Sequence, residues 1–478
     1  MEINNLEPKN VFYYFSEIAK IPHGSQNTEQ ISDYLVNFAK ERGLEHYRDA
    51  LGNVIIIKKA SQGYEDKEPI MLQGHMDMVA VKKPDSNRDM KKEGLILQVE
   101  GDWLSAKDTS LGGDDGIAVA YQLALLDASD LKHPPLECVF TVDEEIGLLG
   151  AEAIDVSRCK AKRMINIDSE EEGVFLTGCA GGMRVDCHLP LKKEEVKGYL
   201  AKVKIAGLQG GHSGVEIHKE RGNSNVLMAR FLTRAVKNTE ISLVELEGGL
   251  ADNAIPRETG ARLLVKDKEK LLQLAAQLEG ELKRELATKD PGVYCQVEIE
   301  EECSLLAVSA EDTKKAVCLL YSLPQGVQSM SGEVKGLVET SLNMGLLSLK
   351  EDGLHAGFSV RSSLESAKYA LEEKLYMLTE QLGGECITTG DYPGWAYRLD
   401  SPLRELMLKV YGQMYNKEPV VEAIHAGLEC GFFLKKIPQL DCVSMGPEMK
   451  DIHTTEERMS ISSVKRVWEY LLRVLEQA

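Results

Sequence analysis

Three apolar runs in the first part of the chain each lead into a histidine or a carboxylate, and this placement limits the fold more than any other feature. Pro69 to Leu72 runs into His75 and Asp77, Leu136 to Val142 into Glu144 and Glu145, and Arg163 to Ile167 into Asp168. Short apolar runs of this kind read as buried strands, and in an open α/β sheet the side chains at strand C-terminal ends converge on one crevice. A further acid, Asp114, lies in Leu111-Gly112-Gly113-Asp114-Asp115-Gly116, a glycine-rich loop that opens the helical pattern Ile117, Ala120, Tyr121, Ala124, Leu125. Glycines there let the backbone approach a ligand closely. The last motif of the series, Asp451-Ile452-His453, arrives only near the C-terminus. If these residues form one site, the C-terminal segment folds back onto the N-terminal one and the residues between them form an insert.

Each motif alone is weak, since a lone His-x-Asp is commonly a surface turn or a satisfied core pair and tandem glutamates are usually a solvated face. Together they supply imidazole and carboxylate ligands for two divalent ions, one carboxylate to bridge them, and another free to take a proton from water. Such a centre acidifies water, polarises a carbonyl and stabilises the tetrahedral oxyanion, so no serine or cysteine nucleophile is required. None of the ten cysteines lies in a recognisable Cys/His signature.

The ordered motifs are Gln73-Gly74-His75-Met76-Asp77-Met78-Val79, Leu111 to Gly116, Thr141-Val142-Asp143-Glu144-Glu145-Ile146-Gly147, Asn166-Ile167-Asp168-Ser169, Gly210-Gly211-His212-Ser213-Gly214, Asn253-Ala254-Ile255-Pro256-Arg257, His425 to Gly431, and Asp451 to His453. This series resembles the co-catalytic zinc peptidase family that contains carnosinases, carboxypeptidase G, tripeptidase and the aminoacylases, over essentially the whole chain. The resemblance implies an α/β fold: a phosphorylase/hydrolase-like α/β sandwich as catalytic domain, with an inserted α+β lid domain. His75 and Asp168 would bind one zinc, Glu145 and His453 the other, and Asp114 would bridge both; manganese or cobalt suit the same ligands. Glu144 would be the general base, and Asp77 would orient His75 by accepting its distal N–H. Asp115 leaves an ambiguity, although the loop position favours Asp114 as the bridge. His212 would donate a hydrogen bond to the oxyanion from the lid. Asn253 and Arg361 would hold the substrate's carbonyl or C-terminal carboxylate, while Gly427 and Glu429 would meet a substrate terminus. The plainer alternatives are that His212 only shapes its glycine turn and that Arg361 pairs with a surface acid.

The expected organisation is a catalytic domain in two segments, 1–187 and 394–478, around a lid at 188–393. Helical patterns cover Val11 to Ile21 and Asn27 to Gly43, followed by a strand at Asn53 to Ile57. Tyr392-Pro393-Gly394 reads as the turn where the chain returns, and Pro402 as the start of a helix. Asp267 to Leu286 reads as a charged amphipathic helix, and Ser462 to Glu476 as a closing one with Val464, Val467, Leu471, Val474 and Leu475 on its packing face. The length of the insert resembles the family's dipeptidase branch, whose lid carries two similar α/β halves; Gly207 to Asn225 and Val334 to Arg361 are the stretches to compare.

The chain has 478 residues and a formal charge of −20, which argues against nucleic acid or an anionic membrane as partner. The N-terminus lacks the basic and apolar regions of a signal peptide, and no apolar run approaches the ~20 residues that span a bilayer. A cytoplasmic protein with reduced thiols is therefore expected. A homodimer is implied by the resemblance alone. A large lid closing on a metal site favours short peptides with both termini free, hence a dipeptidase. Preference for a C-terminal histidine, as in carnosine-like substrates, is again implied only by the resemblance. The other readings are a deacylase (aminoacylase) or tripeptidase of the same family, a phosphoester hydrolase, which the lack of an evident basic pocket disfavours, and a catalytically silent peptide binder.

Overall fold

The computed structural model describes residues 3–478 and divides into two compact units. Of the described residues, the first comprises 3–178, 397–423 and 428–478, the second 179–396 and 424–427.

The first unit is built on an eight-stranded sheet: β1 (Glu45–Arg48), β2 (Val54–Lys58), β3 (Ile70–His75), β4 (Leu136–Thr141), β5 (Arg163–Asn166), β6 (Val174–Cys179), β7 (Val420–Ile424) and β8 (Asp441–Ser444). Their order across the sheet is β1-β2-β4-β3-β5-β8-β6-β7. The four middle strands run parallel. β3 and β4 are buried at every residue, which is why their sequences are continuous apolar runs rather than alternating ones. The helix Gly113–Asp127 is buried from Gly113 to Leu126, and its sequence is correspondingly apolar on all sides. It approaches β3 so closely that a Cβ on Gly74 would stand 2.4 Å from the Ala118 Cβ and 2.5 Å from an Asp115 carboxylate oxygen. Only glycine fits there. The expected helices are present at Lys9–Ile18, Glu29–Glu41, Pro402–Tyr415, with proline in the first turn, and Ile461–Gln477. The last buries all five predicted packing residues, and its Trp468 stacks on Tyr121 with ring centroids 5.7 Å apart.

The second unit contains two interleaved halves. One has strands Lys193–Ala206, Ile241–Gly248, Thr259–Val265 and Tyr294–Val308 with helices Ser224–Asn238 and Lys268–Glu285. The other has strands Gly181–Pro190, Val338–Leu349, Gly353–Ser362 and Glu385–Tyr392 with helices Ala310–Ser322 and Glu365–Glu380. In each half the strands lie in the order fourth, first, third, second, a ferredoxin-like arrangement. The two second strands join the halves into one sheet through Glu247 opposite Ser348 and Gly248 opposite Leu347. The repeat is therefore real but differs from the stretches proposed for comparison: Gly207 to Asn225 follows the first strand of one half, whereas Val334 to Arg361 spans the second and third strands of the other.

The domain boundaries also move. Placing the first at 187/188 would cut the strand Gly181–Pro190, yet that strand pairs along its length with Gly353–Ser362 and also with Glu385–Tyr392. It belongs whole to the second unit, so the division falls at Gly178/Cys179. The return falls at Ala396/Tyr397 rather than 393/394 because Trp395 exchanges backbone hydrogen bonds with Cys179 at 2.9 Å in both directions. The short stretch 424–427 joins the second unit through Ala180, whose N–H meets the carbonyls of Ile424 and Ala426.

Candidate functional site

His75 is the last residue of β3, and the loops after β4 and β5 carry Glu144, Glu145 and Asp168, so parallel neighbours deliver their side chains to one edge. In the loop after β4, Asp143 adopts a left-handed φ of +53°, and His453, brought in by the C-terminal segment, has φ +60°. Such conformations cost a non-glycine residue of order 1–3 kcal/mol and persist where surrounding structure enforces them.

The carboxylate of Asp114 faces two imidazoles. Its Oδ1 lies 3.1 Å from His75 Nε2 and its Oδ2 3.0 Å from His453 Nε2. Asp168 Oδ1 stands 3.5 Å from His75 Nε2, and Glu145 Oε1 3.0 Å from His453 Nε2. Two donor sets share Asp114, His75/Asp114/Asp168 and Asp114/Glu145/His453, while His75, Glu144 and Glu145 form a third close group. Ligand atoms 2.0–2.2 Å from a tetrahedral ion stand roughly 3.3 Å apart, so these spacings fit a divalent cation in each set. Asp115 turns away: its Oδ2 accepts the backbone N–H of His75 at 3.3 Å, and its Oδ1 is buried without a hydrogen-bond partner among the described residues.

Charge supports the same fit. Among the described residues, Asp114, Glu145 and Asp168 form ion pairs with imidazoles and none with lysine or arginine. Burial alone would depress His75, but Asp114 and Asp168 override it and hold the imidazole well above its ordinary range. His453 is raised to about 10 by Asp114 and Glu145. Burial pushes Asp168 up to about 6 despite His75. Burial and surrounding carboxylates also raise Glu144 well above the ordinary carboxylate range, against the pull of His75. A cluster that binds protons this tightly has the donor chemistry to exchange them for cations.

Asp77 is buried beside His75, with Nδ1 3.0 Å from the Asp77 carbonyl and 3.5 Å from its Oδ1. The close hydrogen bond to His75 therefore runs through the backbone. The Asp77 carboxylate instead gathers the N–H of Glu144 at 3.1 Å, the N–H of Glu145 at 3.4 Å and the Ser25 hydroxyl at 2.8 Å, tying the tandem glutamates to His75. Glu429, expected at the substrate, is fully buried and accepts from Gln73 Nε2 at 2.5 Å and Thr141 Oγ1 at 2.7 Å. Its place is under the strand ends.

Sequence reasoning missed Glu457. Its buried carboxylate accepts the backbone N–H groups of Leu111, Gly112, Gly113 and Asp114 at 2.8–3.4 Å, shaping the loop that carries Asp114. Gly112 in that loop has φ +65°, and a Cβ there would meet Met78 Sδ at 2.7 Å. The one signal for Glu457 is its closeness to His453 in sequence.

Within the second unit, His212 lies on the short strand Gly211–His212, paired with Ala254–Ile255. Its Nδ1 accepts the backbone N–H groups of Gly214 at 3.1 Å and Val215 at 3.2 Å. An accepting Nδ1 carries no proton, so the neutral ring carries it on Nε2. Burial and the Arg361 charge lower the proton affinity of His212 and keep it neutral. Arg361 is buried, donates from Nη1 to the Tyr392 hydroxyl at 3.1 Å, and has an Nε without a partner among the described residues. Among the described residues it forms no surface ion pair. A Cβ on Gly214 would lie 3.0 Å from His212 Cε1, 3.2 Å from Arg361 Nε and 2.6 Å from the His425 carbonyl, so these groups are close neighbours. Asn253 is exposed and joins them through its carbonyl, which accepts from Ser213 N at 2.8 Å. Gly427 lies against the ring of Tyr392, 2.8 Å from where its Cβ would be. His425 bonds Ser341 Oγ through Nε2 at 2.7 Å and is pushed down to about 3 by burial and by Arg361.

The model of "Peptidase family M20/M25/M40" matches residues 71–477 of the chain. The cytosol non-specific dipeptidase of Escherichia coli (strain K12) is 37% identical over 481 residues, covering 100% of this chain and 99% of that protein. The crystal structure of aminoacylhistidine dipeptidase from Vibrio alginolyticus superposes with a TM-score of 0.95 at 35% identity, over 100% of this chain and 98% of that one. Aminopeptidase PepT from Bacillus cereus, at 15% identity and a TM-score of 0.55 over 99% of both chains, shares the fold.

Proposed function

The chain belongs to peptidase family M20/M25/M40, and from that premise we propose that it hydrolyses dipeptides, Xaa-His substrates among them, with water activated between two divalent ions. The observation that carries the reading is the Asp114 carboxylate, whose two oxygens face His75 and His453 while each histidine has a second carboxylate of its own. Held by these five residues, two ions would polarise the scissile carbonyl and acidify a water; zinc is the preferred ion, with manganese and cobalt compatible.

The remaining steps belong to the chain. Glu144 takes a proton from the water and hands it to the leaving amine, a role that its raised proton affinity suits. Asp77 holds the Glu144 backbone and so fixes the base relative to His75. His212, neutral and protonated on Nε2, is the proposed donor to the oxyanion. The Arg361 fork is the proposed receiver of the substrate's C-terminal carboxylate, which gives its buried charge a partner, and Asn253 the proposed donor to the substrate carbonyl.

The relatives' names span a non-specific dipeptidase and one described for aminoacylhistidines, which supports a dipeptidase of broad range that accepts carnosine-like substrates. Among the described residues no helix is long and apolar enough to cross a membrane. With the cytosolic E. coli relative, this supports a cytoplasmic place of action; a homodimer is proposed as the working assembly. The test is hydrolysis of β-Ala-His, Gly-His and Leu-Gly by metal-stripped protein and after adding Zn²⁺, Mn²⁺ or Co²⁺. Metal-dependent cleavage is expected. Failure on every dipeptide, with cleavage of N-acyl amino acids or tripeptides instead, would move the activity to the deacylase or tripeptidase reading.

A further inference from the structure

The outer face of the second unit's sheet carries a cluster that the proposed reaction does not use. Antiparallel register sets His355 opposite His188 and His188 opposite Glu385. Residues in one such row project to the same face. That face is the solvent side, because Met183, Val185, Cys187 and Leu189 alternate inward while Arg184 and Asp186 are exposed. The two imidazoles stack with centroids 4.5 Å apart and planes 23° apart. Asp352, in the turn before Gly353–Ser362, lies across them. Its Oδ1 is 3.0 Å from His355 Nε2 and its Oδ2 3.7 Å from His188 Nε2. On the other edge of the His188 ring, Glu385 Oε1 stands 3.6 Å from Nδ1.

We propose that His188, His355 and Asp352 form a binding site for one divalent transition-metal ion, with Glu385 positioning His188. The separations of 3.0 and 3.7 Å bracket the roughly 3.3 Å that two ligands of one tetrahedral ion require. Glu385, 3.6 Å from Nδ1, favours a proton on that nitrogen and so presents the Nε2 lone pair, the carboxylate–histidine–metal arrangement found around ligating imidazoles. His188 Nε2 also lies 3.3 Å from the Asp352 carbonyl; an ion bound there takes the place of any proton on that nitrogen, which leaves to solvent. Two imidazoles and a carboxylate select Zn²⁺, Cu²⁺ or Ni²⁺ over Mg²⁺ and Ca²⁺. The side chains are 22%, 29% and 60% exposed for His188, His355 and Asp352, which leaves an entry path and room for water as the remaining ligand. Bound there, the ion joins neighbouring strands of one sheet and none of the residues assigned to hydrolysis.

The test is equilibrium dialysis of the full chain against buffered free Zn²⁺, followed by elemental analysis of wild type and a His188→Ala/His355→Ala variant. Wild type is expected to hold one equivalent more than the variant, with hydrolysis unchanged between them. Glu385→Gln should keep that equivalent but weaken its apparent Kd by about 10–100-fold. Cu²⁺ bound at the same place should show coupling to two nitrogens by electron paramagnetic resonance, lost in the variant. Equal stoichiometry in wild type and variant overturns the proposal. Should the double variant fail to fold, Asp352→Asn, a change at an exposed turn, must lose the same equivalent, and retention of it overturns the site equally.

Discussion

The Glu457 carboxylate accepts the backbone N–H of Gly113 at 2.8 Å, and the same side chain takes the N–H groups of Leu111, Gly112 and Asp114. One buried anion thus fixes the loop that aims Asp114 at two imidazoles. Glu457→Gln keeps the size but turns an amide NH₂ toward backbone donors. Supporting residues of this kind typically matter by 10–100-fold in metal affinity or activity, and a loss of that size is expected in Zn²⁺ titrations of the stripped protein. Wild-type affinity in the variant would mean that the loop holds its shape without the anion.

The tandem glutamates should separate cleanly. Glu145 is 3.0 Å from His453 Nε2 in the donor set Asp114/Glu145/His453, so Glu145→Ala should cost one bound ion by elemental analysis. Glu144→Ala should keep both ions and lower kcat by about 10²–10⁴-fold, the usual worth of a positioned proton shuttle. Retained turnover in the Glu144 variant would remove it as the base.

The pH dependence of the metal-stripped protein follows from His453. Its folded-state value of about 10 lies above the unfolded value of 6.5. The stability it contributes is therefore fully present below about pH 6.5 and is lost as pH rises through about 10. The thermal midpoint of stripped wild type should fall across that window, and His453→Ala should flatten the fall. Loading with Zn²⁺ should release protons and remove most of the slope, because the ligands are then held by the ion instead. A midpoint insensitive to pH in stripped wild type would contradict the pairing of His453 with Asp114 and Glu145.

Much of this was legible in the sequence because the signals are local. Buried parallel strands leave continuous apolar runs, so Ile70–His75 and Leu136–Thr141 announce both themselves and the residues at their ends. Pro402 marks a helix start, and Val464, Val467 and Leu471 mark a helix face. The first boundary was hidden because Gly181–Pro190 alternates like any strand, and only its partners, far along the chain, decide which sheet it joins. The two halves of the second unit were hidden for a related reason: one is inserted between the first strand and first helix of the other, so no simple tandem period survives. Glu457 reads as a solvated acid beside Arg458, and nothing local tells that four backbone N–H groups will surround it. Asp115 is the reverse case, an acid of the right kind in the right loop whose side chain turns toward the backbone of His75.

His212 offers a prediction that reaches from a backbone turn to a reaction. The N–H groups of Gly214 and Val215 both point at Nδ1, so the proton of the neutral ring sits on Nε2, and Arg361 nearby discourages a second proton. Nitrogen chemical shifts of ¹⁵N-histidine-labelled protein should show the Nε2–H tautomer for the resonance that disappears in His212→Ala, and it should persist as pH falls through the ordinary imidazole range. If this N–H donates to a developing oxyanion, His212→Ala should lower kcat by about 10²–10³-fold while leaving the bound metal unchanged. A change confined to KM would instead make His212 a contact of the ground-state substrate. An Nδ1–H tautomer would refute the assignment from the start, since that ring could neither accept the turn's two N–H groups nor present a donor on its other nitrogen.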